Sequence, residues 1–138
     1  MDQAQKITLK CPVTIKAKVT EELKKRLTID IQEGLKRADL ELQQIDFQGK
    51  RALAEQAKQD PQGLVGLRQH FDGEIQKRLE FKSQMEAKLK ETAELEIGVE
   101  IGQGTLEQFV TLGIGDDLHQ AMSTEILLED GKIIAFRS

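Results

Sequence analysis

Residues able to do chemistry are few in this chain. Histidine occurs only at His70 and His119, cysteine only at Cys11, and there is no Asn, Trp or Tyr. His119 follows Asp116 and Asp117, a grouping that suggests a metal or a small acid–base site. No second histidine or cysteine stands at ligand spacing beside it, however. His70 adjoins Phe71 inside a helical pattern, as an ordinary helix-surface histidine does. Cys11 lies on the apolar phase of a strand-like run, so it is expected to be a buried small hydrophobe rather than a nucleophile. A Cys–His pair would also lack an orienting third group. Gly113-Ile114-Gly115 has neither the third glycine nor the following helix of a dinucleotide fingerprint. Gly102-Gln103-Gly104 reads as a turn between two strands rather than a phosphate cradle. The expectation is no enzyme, no catalytic residue, no cofactor and no metal.

The organisation of the chain is more informative. From Thr20 to Glu94 a polar, Leu- and Ala-bearing run is broken once, at Asp60-Pro61-Gln62-Gly63. Before the break, Leu35, Ala38, Leu42, Ile45, Gly49 and Ala52 step alternately by three and four, the rhythm of a coiled-coil seam. After it, Leu67, Phe71, Ile75, Leu79, Met85 and Leu89 step by four, and once by six. Folding the chain back sets Ile45 against Leu79 and places small residues opposite large ones: Gly49 against Ile75, Ala52 against Phe71, Ala38 against Met85. One mismatch remains, Leu42 against Lys82. The reading is an antiparallel helical hairpin over 20–94 with its tip near 60–66. Thr20 caps its first helix, and Asp60 caps the second with Pro61 in the favoured first position.

On either side the period is two. Ile7, Leu9, Cys11, Val13, Ile15, Ala17 and Val19 alternate with polar residues, and Pro12 marks an edge or a bend in that strand. Leu95 to Ile101 and Leu106 to Ile114 read as two more strands, and Asp116-Asp117 as the start of a short helical turn. Glu125–Glu129 and Lys132–Arg137 flank Asp130-Gly131, a strong hairpin signal. About five strands are expected, from residues 1–19 and 95–138. The fold class is therefore α+β: a long antiparallel coiled-coil hairpin inserted into a small, mainly antiparallel β-sheet or β-barrel domain.

A net charge of −4 argues against a general nucleic-acid or acidic-membrane binder. Residues 1–19 hold four lysines, at 6, 10, 16 and 18, whereas 95–138 are predominantly acidic. The two ends either attract each other or form separate faces. A lone cysteine excludes an internal disulfide. Met1-Asp2-Gln3 opens polar, no apolar h-region follows, and no run reaches the roughly 20 apolar residues of a membrane span. A cytoplasmic protein without membrane contact is expected.

Leu40, Phe47 and Ala54 recur at seven-residue steps away from the seam, and Phe81 is likewise off-phase on the second helix. A helix pair needs only one stripe each. These four residues mark a candidate surface for a protein partner, a second copy of the chain being the simplest, hence an oligomer.

The N-terminal strand, the charged helical pair, Asp60–Gln69, Lys77-Arg78-Leu79-Glu80-Phe81, Gly102-Gln103-Gly104-Thr105 and Glu129-Asp130-Gly131-Lys132 together resemble the YlqD family of bacterial proteins. The likeness spans nearly the whole chain, through structural rather than chemical motifs. It implies no catalytic residue, because the family has no established activity. The family's gene neighbourhoods imply a loose association with ribosome and transfer-RNA maturation. The expected function is a non-enzymatic interaction or scaffold protein with its coiled coil as docking surface. The alternative is an RNA- or ribosome-associated maturation factor working through the lysine row.

Overall fold

The alternation of β1, Lys6–Lys18, organises the sheet. Cys11, Val13 and Ala17 are buried on one face, and Cys11 has no exposed surface at all. The structure, a computed structural model, describes residues 5–138. In chain order it contains β1, α1 (Glu21–Gln59), a 3₁₀ turn at Pro61–Gly63, α2 (Leu64–Glu94), β2 (Glu100–Gly113), α3 (Leu118–Met122), β3 (Thr124–Glu129) and β4 (Lys132–Arg137). The chain divides into two compact units, residues 25–94 and the segments on either side of them. It is an α+β protein with a long helical hairpin and a four-stranded, mixed, mainly antiparallel sheet.

The sheet order is β2-β1-β3-β4, with β1–β2 and β3–β4 antiparallel and β1–β3 parallel. Among the described residues it stays open, with β2 and β4 as edges, and has four strands rather than about five. Two expected features account for the difference. Gly102-Gln103-Gly104 is not a turn but a bulge inside one continuous β2. Ile15 pairs with Gly104 and Lys16 with Gly102, which leaves Gln103 as the extra residue. Gly104 takes φ +147, a conformation that favours glycine. Residues 95–99 are not a strand either, because Gly98 turns the backbone at φ +96. There the Val19 N–H donates to the Val99 carbonyl at 2.7 Å, and the Gly98 N–H to the Val19 carbonyl at 2.8 Å. Pro12 lies one residue before the β3 pairing begins at Val13, where β1 has a neighbour on one side only.

Residue pairing sorts the sheet into two faces. Ile7, Leu9, Cys11, Val13 and Ile15 share theirs with Leu112, Val110, Leu106 and Ile126. The other face is charged. Lys10 meets Glu107 at 3.1 Å and Lys16 meets Glu125 at 2.9 Å. Arg137 reaches Glu100 at 2.6 Å and Glu125 at 3.6 Å. The basic and acidic ends of the chain thus attract each other across this face. Asp130 and Gly131, at φ 49 and 83, make the tight β3–β4 turn, as two positive φ values in sequence require. The Thr20 hydroxyl donates to Asp130 Oδ1 at 2.6 Å and accepts from the Leu23 N–H at 3.1 Å, so it caps α1.

In the hairpin, α1 keeps the expected seam, with Ala38 and Gly49 buried. The chain reverses at Asp60, whose Oδ1 accepts from the Gln62 N–H at 3.2 Å, with Pro61 next. The register differs from expectation by about one helical turn. A methyl at Gly49 would lie 3.4 Å from the Phe71 ring, so Gly49 packs on Phe71 rather than on Ile75. Lys82 forms an ion pair with Asp39 at 2.6 Å instead of covering Leu42. Arg78, not Leu79, takes the seam position, and Leu79 is 46% exposed. The cause is that Glu74, Arg78, Lys82 and Thr92 hold seam-spaced positions that a search for apolar residues passes over.

Candidate interaction surface

Ala38, Leu42, Ile45 and Gly49 form the inward face of α1, so residues two steps away point the opposite way. Leu40 and Phe47 stand there, 54% and 63% exposed, with the exposed Ala54 one heptad further on. The Arg51 guanidinium sits over the Phe47 ring, 5.9 Å from its centroid, which leaves the ring's other side open. Lys50 and Asp46 pair at 3.1 Å beside it. These three residues share one line along α1. Phe81 does not join them. Its ring lies 3.7 Å from where a methyl on Gly34 would be, on the flank of the helix pair.

That flank is a shallow groove of about 280 Å³ lined by Gly34, Arg37, Ala38, Glu41, Lys77, Arg78 and Phe81. Arg78 dominates its electrostatics: it bonds the Glu74 carboxylate on its own helix and reaches Glu41 across the seam at 3.2 Å. The Arg78 hydrogen bond, helped by Lys77, holds the Glu74 carboxyl below its ordinary value of 4.5. Glu74, and then Glu41, push the Arg78 guanidinium further up. Lys82 is raised in the same way by its bond to Asp39. The Arg78–Glu41 and Lys82–Asp39 ion pairs thus tie the two helices together along this flank.

Asp116 and Asp117 are engaged by backbone N–H groups, and the His70 ring by its neighbour. Asp117 Oδ1 accepts from the Gln120 N–H at 3.2 Å and caps α3, while Asp116 Oδ2 accepts from the Gly113 N–H at 2.7 Å. The His119 carbonyl accepts from the Ser123 hydroxyl at 2.7 Å. The His70 ring stands edge-on to Phe71 with centroids 5.4 Å apart. Among the described residues no group of three metal-ligating side chains comes together, and no helix is long and apolar enough to cross a membrane. Lys10 and Lys16 of the lysine row are engaged by glutamates. Phe109, off-phase in the sequence of its strand but not among the expected surface residues, is 75% exposed on β2. Its signal was its place on the polar phase of an otherwise alternating strand.

The sequence pattern of one protein family, described as YlqD protein, matches residues 7–137. The chain belongs to the YlqD family. The match covers both the sheet and the hairpin. A crystal structure of a protein of unknown function from Synechococcus sp. WH 8102 has the same fold as this YlqD-family chain. The TM-score is 0.86 at 25% identity, covering 100% of this chain and 99% of that one. No curated protein matches the chain.

Proposed function

We propose that this chain is a non-enzymatic, cytoplasmic interaction or scaffold protein, and that the outer face of α1 docks a protein partner. The observation behind this reading is the exposure of Leu40 and Phe47 on the side opposite the seam. One inward stripe suffices to hold a helix pair together, so a second stripe at heptad spacing fits a further helix laid along α1. The aromatic ring under Arg51 has the composition of an interface anchor. No cofactor or metal enters this reading.

The test compares the immobilised chain with its Phe47→Asp and Leu40→Asp variants in native cell extract. The reading predicts a protein retained by the wild type and lost from both variants. Identical retention by all three would remove this face as the docking surface. The alternative, an RNA- or ribosome-associated factor, uses the row Lys6, Lys10, Lys16 and Lys18 and predicts ribosome binding that weakens steeply with salt. The glutamates facing Lys10 and Lys16 favour the protein-docking reading over it.

A further inference from the structure

We infer that the free edge of β2 is a self-pairing seam, joining two copies of this chain into a dimer through antiparallel β2–β2 contact. The two edges of the sheet differ in protection. Edge strands are ordinarily blunted by lysine, proline, bulges or shortness. β4 has such devices: it is six residues long, has Lys132 and Arg137 at its ends, and leaves Ile134 bulged between the pairs Leu127–Ala135 and Leu128–Ile133. β2 runs for 14 residues, and its one bulge, at Gln103, lies near its start. From Thr105 to Leu112 it is regularly paired to β1, has no proline or lysine, and holds a single charge, Glu107. Such an edge offers a row of backbone donors and acceptors to another strand.

The side chains point to a second copy as the occupant. Phe109 lies on the charged face of the sheet, between Glu107 and Thr111 and across from Lys10, and is 75% exposed. Its cross-strand partner there is a lysine rather than another ring. An antiparallel two-fold pairing centred on Phe109 sets the ring against the same ring of the second copy, a favourable aromatic pair. In this register Leu106 faces Leu112 on the apolar face, and Glu107 faces Thr111, whose hydroxyl can donate to the carboxylate. No like charges meet. Shifting the centre to Glu107 would oppose two carboxylates, so charge excludes that neighbouring register. The contact is isologous and closes on itself, and the blunted β4 edge leaves no route to a growing sheet. This inference is independent of the α1 docking face.

Light scattering on the full chain at high concentration tests it. The wild type is expected at the mass of two chains and Phe109→Lys at the mass of one, the residue being too exposed for its replacement to unfold the sheet. Phe47→Asp should leave the dimer intact. Oxidation of Phe109→Cys should give a covalent dimer. Directly opposed residues have Cα atoms about 4.5–5.5 Å apart, within disulfide reach. Glu107→Cys, about 13 Å from its own copy in this register, should not cross-link. The fully buried Cys11 makes the oxidised wild type a clean control. A monomeric wild type, a dimer indifferent to Phe109→Lys or dispersed by Phe47→Asp, or equal cross-linking at 107 and 109 would each overturn it.

Discussion

Replacing Gly49 with leucine probes the register of the hairpin. Gly49 is buried on α1, and the point where its side chain would begin is 3.4 Å from two carbons of the Phe71 ring. A leucine there gains about 0.8 kcal/mol of helix propensity over glycine. Its branched end meets the ring, and overpacking of that kind costs about 1–3 kcal/mol. Gly49→Leu is therefore expected to destabilise the hairpin by about 1 kcal/mol. Phe71 is half-buried, so Phe71→Ala should cost about 2 kcal/mol, below the ~3–5 typical of a fully buried ring. In the double variant the leucine occupies the space the ring has left. The double variant should then be about 1–2 kcal/mol more stable than the two single losses added together. Urea unfolding followed by far-UV circular dichroism measures all four chains, with Gly49→Leu/Ile75→Ala as control. Additivity within about 0.5 kcal/mol for the Phe71 pair, with coupling to Ile75 instead, would refute the register.

Two further outcomes follow from the geometry. Because Arg78 holds Glu74 below 4.5, the pair's contribution is full above that pH and is lost as pH falls through the lower folded-state value. The hairpin's Tm should drop more steeply in acid for the wild type than for Arg78→Gln, and parallel curves would contradict this. Gly131 sits at φ +83 in the β3–β4 turn, so Gly131→Ala should lower stability by about 1–2 kcal/mol in the same urea assay. A neutral result there would mean the turn is made differently.

How much was legible depended on where apolar residues mark structure and where they do not. The α1 seam was readable because each of its positions from Leu35 to Ala52 is apolar or small. The α2 seam was not, because Arg78 and Lys82 take core-facing positions by reaching acids on α1, which let Leu79 stand in for Arg78 and displaced the register. The Asp130-Gly131 turn and the Asp60-Pro61 reversal were readable because few residues suit those backbone angles. Gly102-Gln103-Gly104 misled for the converse reason: glycine permits a bulge as easily as a turn, and only pairing with β1 decides between them. The parallel β1–β3 contact left no local trace, since its two strands are separated by the hairpin, β2 and α3. Of the candidate surface residues, Leu40, Phe47 and Ala54 share one line along α1 by their seven-residue spacing, and the Phe81 ring stands beside Gly34, a neighbour that spacing alone does not give.

The account rests on the two long helices running side by side after the reversal at Asp60. Spin labels on the exposed positions Gln32 and Lys88, far from the tip on opposite helices, measure this directly. Helix axes about 8–10 Å apart put the labels roughly 20–30 Å from each other once their linkers are included. A single rod continuing through Pro61 would separate them by about 84 Å at ~1.5 Å per residue. A narrow distribution at the short distance is the expected result. A long or broad one would remove the paired helices and the docking face built on them.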